Sequence, residues 1–185
     1  MNREISRQLI HAFAGTIIIA SVALLGRELS LLLAALIFFI GLMLSMLVRV
    51  GVKADMLESL LKKVQRDYEK HFPGFGALMF FLGMVLLLFF FQRMEVIIGA
   101  LVVSVYGDAA STLVGKAVGK HKIVGNYTLE GTLGGIIFSF ALLSFLFPLH
   151  IALIVSVAGM LAELLPIDDN LSIPIVAGTV LSLLL

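Results

Sequence analysis

The chain has 185 residues, 61% of them hydrophobic and 14% charged, with a formal net charge of +1. That balance excludes a water-soluble domain, and the absence of cysteine excludes a disulfide framework, a thiolate metal site and a cysteine nucleophile. What remains is a single all-α integral membrane domain over residues 1–185, with room for about seven transmembrane helices of roughly 20 residues each.

In chain order, apolar runs predict a first helix over about Gln8–Leu25 and a second over about Leu29–Val48, joined by the short turn Gly26-Arg27-Glu28. The first run is expected to stay in the protein rather than to be cleaved as a signal. Lys53–His71 reads as an amphipathic helix lying in the membrane interface. Met56, Leu57, Leu60, Leu61, Val64 and Tyr68 share one face, and Glu58–Lys62 and Lys63–Asp67 have supporting i,i+4 spacing. Phe72-Pro73-Gly74-Phe75-Gly76 stops that helix, and Gly74 and Gly76 are expected to leave backbone amides free for an anion. A third span follows at Gly76–Phe91, a fourth at Met94–Val118, a polar loop at Gly119–Leu129, and spans five to seven at Glu130–Phe147, Pro148–Leu165 and Leu171–Leu185.

Charge orients this chain. Of the 13 lysines and arginines, only Arg27 and Arg93 fall in the loops opposite the N-terminus. The positive-inside rule then makes the N-terminus cytoplasmic. The polar clusters all reach that same face. Asp108 is the sharpest of them, because a carboxylate inside an apolar span costs roughly 2.5–3.5 kcal/mol and is kept when it binds a cation or does chemistry. Around it, Gly107-Asp108-Ala109-Ala110-Ser111, Gly115-Lys116 and Gly119-Lys120-His121-Lys122 supply a carboxylate, small residues and lysines. That mixture suits a magnesium–polyphosphate ligand. Glu130 opens the fifth helix ahead of Gly131 and Gly135, whose spacing allows close helix contact. Glu163 and Asp168-Asp169-Asn170 bracket Pro166; capping of the seventh helix accounts for one acidic or amide group but not for Glu163. His11 lies one turn inside the first helix.

Taken in order, Arg7-x3-His11-x3-Gly15, Phe72-Pro73-Gly74-x-Gly76, Gly107-Asp108-Ala109-Ala110-Ser111-x3-Gly115-Lys116, Thr128-x-Glu130-Gly131-Thr132 and Glu163-x2-Pro166-x2-Asp169-Asn170-x3-Pro174 resemble the CTP-dependent lipid kinases. That family groups dolichol kinase, phytol kinase and the CTP-using diacylglycerol kinase, and is related to phosphatidate cytidylyltransferases. The resemblance spans nearly the whole chain. It implies transfer of the CTP γ-phosphate to the hydroxyl of a membrane isoprenoid alcohol or diacylglycerol at the cytoplasmic face, with Mg2+ or another divalent cation. It also implies roles for residues: Asp108, Glu130, Glu163 and His11 in catalysis, Asp108, Asp169 and Asp168 at the metal. Gly74, Gly76, Ser111, Lys116, Lys120, Lys122, Gly131 and Asn170 would bind the nucleotide. No nucleic-acid partner is expected. Two positions depart from the family: Tyr127 stands where a lysine is usual, and Gln8 where a basic residue follows Arg7. A cytidylyltransferase, transferring CMP instead, is the nearest alternative, but the Gly-His-Gly-Gly and Asp-Arg ending of those enzymes is missing. A small transporter would carry ionisable groups at the midplane, often in inverted repeats, and no repeat is visible.

Overall fold

Unbroken runs of Leu, Ile, Ala and Met favour helix, and a glycine is the residue that can break such a run without a loop. In the computed structural model, which describes residues 2–50, 72 and 74–185, Gly26 does this. Helix α1 (Asn2–Arg49) is helical except at Gly26, whose φ of 76° and ψ of 174° fall in a region essentially restricted to glycine. The chain doubles back there. Gly41 packs on Leu78, and His11 lies edge-on to Phe80 with ring centroids 5.7 Å apart. A straight helix would hold Gly41 and His11 roughly 45 Å apart. At the bend, Arg27 Nε donates to the carbonyls of Leu88 (2.8 Å) and Phe91 (3.0 Å) at the C-terminal end of helix α2 (Phe75–Phe90). Those carbonyls have no partner within their own helix, and the cation also meets the negative end of its dipole. Gly26→Ala is therefore expected to destabilise the protein by about 1–3 kcal/mol, although the added methyl meets nothing within 4 Å. The readout is the Tm in detergent; an unchanged Tm would show that the bend tolerates an ordinary side chain.

α1 touches the rest of the molecule along a narrow seam. Its buried positions are Gln8, Gly15 and Val22 before the bend, and Ser30, Ala34 and Ser45 after it. Most of its large apolar side chains face outward, Phe13 to the extent of 70%. The centre belongs instead to α3 (Met94–Val102), which passes through one widened π turn, Val103–Gly107, into α4 (Asp108–Val118). Around it stand α5 (Leu129–Leu143), α6 (Leu149–Leu161, tightening to a 3-10 turn at Ala162–Leu164) and α7 (Asp169–Leu184). Leu87, Ile97, Leu101, Leu143, Met160, Ile173 and Leu181 close the shared core. Two stretches, Ile5–Arg49 and Met94–Val118, are long and apolar enough to cross a membrane. Phe75–Phe90, Leu129–Leu143, Leu149–Leu164 and Asp169–Leu184 are shorter apolar helices.

The all-α expectation holds, and the departures from it are local. The polar loop Gly119–Leu129 contains a small antiparallel hairpin, β1 (Lys122–Val124) and β2 (Tyr127–Thr128), turning at Gly125 with a φ of 55°. The fifth helix ends at Leu143 rather than Phe147, ahead of Pro148, which disfavours helix in the residue before it. The seventh starts at Asp169 rather than Leu171, so Pro174 sits in its second turn and not its first. Proline lacks the N–H that would bond the Asn170 carbonyl. That carbonyl instead abuts Gly83, two turns into α2, where a Cβ would overlap it. The interfacial helix expected over Lys53–His71 lies outside the described residues.

Candidate functional site

Helices α4 and α5 approach with no side chain between their backbones. A Cβ on Gly131 would lie 2.8 Å from the Ser111 carbonyl, and one on Gly135 2.9 Å from the Gly107 carbonyl. Small residues at four-residue spacing permit such contact. The close approach aligns two hydroxyls, Ser111 from α4 and Thr132 from α5, on one carboxylate. Ser111 Oγ donates to the Glu163 oxygens at 2.9 and 3.2 Å, and Thr132 Oγ1 donates at 2.6 Å. Glu163, on the 3-10 turn after α6, is 1% exposed. Burying a carboxylate is expensive unless hydrogen bonds and charges compensate it, and here two neutral donors on separate helices fix both of its oxygens.

Two further carboxylates are buried nearby. Asp108 begins α4 one turn before Ser111, and its Oδ2 is 4.0 Å from His11 Nε2. Asp169 begins α7; the Tyr127 hydroxyl donates to its Oδ2 at 3.4 Å, and it lies near enough to Glu163 for the two charges to interact. The set therefore draws on α1, α4, α5, α7 and the turn after α6. The Asn170 carbonyl, next to Asp169 in the chain, packs at Gly83, about 12 Å along α2 from Phe75.

The other expected site residues have different surroundings. Glu130 is partly exposed and serves the loop before it, accepting from the backbone N–H of Lys120 (3.0 Å) and His121 (3.2 Å) and pairing with His121 Nδ1 at 2.6 Å. Asp168 caps α7, its Oδ1 accepting from the Asn170 backbone (3.1 Å) and side-chain amide (3.0 Å). Asn170 thereby joins Asp168 to Asp169, whose Oδ1 takes the same two donors at 2.9 and 3.1 Å. Gly74, with a φ of 75°, starts α2, and Gly76 lies in its first turn. Lys116, Lys120 and Lys122 are exposed. Gly131 acts in the α4–α5 contact.

A divalent cation, which the sequence resemblance implies, has to be tested against these donors. Among the described residues no group of three or more His, Cys, Asp or Glu side chains could hold a metal by itself. Magnesium bound with a nucleotide needs only one or two carboxylates, phosphate oxygens and water supplying the rest. The buried carboxylates of Asp108 and Asp169 fit that requirement, Asp169 keeping lone pairs beside the hydrogen bonds it accepts from Asn170 and Tyr127; Asp168 is less buried and caps α7.

Thr132 stands in the Thr128-x-Glu130-Gly131-Thr132 motif, which gives it no role, and the Tyr127–Asp169 contact carries no signal of its own in the sequence. Tyr127 stands where the resembled kinases have a lysine, and the structure gives it a carboxylate to touch instead of a phosphate. No family model matches the chain, and no solved structure matches it. The chain is similar to an uncharacterized protein of Methanocaldococcus jannaschii, at 28% identity over 190 aligned residues that cover 97% of this chain and 93% of the relative.

Proposed function

We propose that the chain is a multi-pass membrane phosphotransferase that moves the γ-phosphate of CTP to the hydroxyl of a membrane lipid alcohol, an isoprenoid alcohol or diacylglycerol. The observation that carries this reading is Glu163. It is fully buried in an apolar bundle and oriented by two hydroxyls, one of them on the helix that Asp108 begins, with the Asp169 carboxylate close enough to interact with it. Two limbs of α1, then α2, α3 with α4, α5, α6 and α7 would cross the bilayer, seven spans in all. The excess of lysine and arginine on the side of the N-terminus sets that side, and the site with it, toward the cytoplasm.

Phosphoryl transfer asks mainly for positioning and charge neutralisation. Lys116, Lys120 and Lys122 meet the polyphosphate as it enters from the exposed end of α4 and the hairpin. Asp108 and Asp169 would hold a divalent cation, which would supply neutralisation of phosphate charge. Glu163 accepts the proton of the lipid hydroxyl as its oxygen bonds the γ-phosphorus, and the bond to the bridging β–γ oxygen breaks to release CDP. Ser111 and Thr132 keep the carboxylate aimed. His11 orients Asp108 from α1. Glu130 acts indirectly, holding the Lys120–His121 backbone.

The test is label transfer into lipid by the purified protein, with γ-labelled and α-labelled CTP in parallel and polyprenol, geranylgeraniol and diacylglycerol as acceptors. Label from the γ position alone is expected. Label from the α position would mean cytidylyl transfer, and no transfer from either by folded protein would overturn the reading.

A further inference from the structure

The Gln8 side chain is 1% exposed, and neither its Oε1 nor its Nε2 has a hydrogen-bond partner among the described residues. Burying an unsatisfied amide is costly in a way that no packing contact explains. The seam it belongs to is otherwise filled by Gly15 and Val22, so an apolar residue would serve structure better. Its position is specific. α1 runs antiparallel to α4 here: Gly15 packs on Val105, the hydroxyls of Thr16 and Tyr106 are 2.7 Å apart, and His11 faces Asp108. Gln8, one turn before His11, therefore lies beyond Asp108 in the direction of Ser111 and Lys116, where the proposed nucleotide enters.

The chemistry of a carboxamide narrows the ligand. A phosphate only accepts, and would leave Oε1 unmet. A cation does the reverse, an alkyl chain satisfies neither atom, and a single hydroxyl cannot span both. The edge of a nucleobase presents a donor and an acceptor side by side, which is what an amide pairs with bidentately. We infer that Gln8 binds the base of the nucleotide substrate and sets affinity for it, a contact resting on the phosphotransfer reading above. It makes the same pair with N3 and the exocyclic amine of cytosine, Oε1 accepting and Nε2 donating.

The experiment compares binding of CTP and of inorganic tripolyphosphate to the full-length chain in detergent with magnesium, by calorimetry, for the wild type and Gln8→Met. Methionine keeps length and flexibility while removing both polar atoms. CTP affinity is expected to fall about tenfold, the worth of one bidentate amide–base pair, with tripolyphosphate affinity unchanged and the ligand-free Tm not lowered. Should the methionine variant fail to fold, Gln8→Asn keeps the amide but withdraws it by one methylene, with the same expectation. Unchanged CTP affinity, or equal losses for both ligands, would overturn the base contact while leaving phosphotransfer standing. A wild type that binds neither ligand would overturn phosphotransfer itself, and this contact with it.

Discussion

Glu163→Gln is expected to lower the rate of phosphate transfer from CTP to a lipid alcohol by roughly 10²–10⁴, the usual contribution of a positioned base, while the helical bundle stays folded. Glutamine is nearly the same shape. Its oxygen still accepts from Thr132, and its amide donates to Ser111 once that hydroxyl turns to accept, so both tethers seen at Glu163 survive in altered form. What disappears is the ability to take a proton. Initial rates with labelled CTP and a thermal melt in detergent separate the alternatives. A variant that keeps wild-type turnover but melts early would make Glu163 a structural tie among α4, α5 and α6, and would remove it from the chemistry.

Asp108→Asn should be nearly as damaging to turnover, by roughly 10² or more if preorganised charge is what it contributes, but with a different signature. The buried carboxylate is a burden on an apolar helix, so neutralising it should leave the Tm unchanged or raised. Because Asp108 is assigned to the cation rather than to the proton, excess magnesium or manganese is expected to restore part of the lost rate in Asp108→Asn and none in Glu163→Gln. Equal rescue of both, or of neither, would contradict the division of labour between these two carboxylates. A fully active Asp108→Asn would remove the residue from the mechanism.

Much of this was legible in the sequence because single residues decide it. Gly26 ended a run of apolar helix, and Asp108 and Glu163 announced themselves as acids where nothing structural wants one. The Gly131-x3-Gly135 spacing allowed a close helix contact, and the structure shows its partner to be α4 and the turn before it. The π turn at Val103–Gly107 was not legible, since its register depends on how Gly107 seats against Met160 and Ser139, residues far along the chain. The hairpin was within reach: Ile123-Val124-Gly125-Asn126-Tyr127-Thr128 sets a Gly-Asn pair between β-branched and aromatic residues, a recognised two-residue turn signal. Thr132 stood in a motif, but its role could be found only in three dimensions, because that role lies in the acid it meets 31 positions away. Glu130 looked equal to Glu163 in sequence; burial distinguishes them, one facing the loop and water, the other sealed among helices.

The bend at Gly26 has a consequence for biosynthesis. In the proposed orientation it points away from the cytoplasm, so the tip of the hairpin has to be carried through the bilayer as the chain is made. A lone arginine at the centre of that passage carries a penalty of roughly 2.5–3.5 kcal/mol. Arg27 has an opposite charge at the next position, Glu28, with which its guanidinium is paired in the folded protein. The nascent chain can thus thread a charge-neutral tip between two apolar limbs and insert both in one event. Only afterwards does α2 emerge and offer Arg27 the carbonyls of Leu88 and Phe91. The same side chain then joins α2 to the bend between the two limbs of α1.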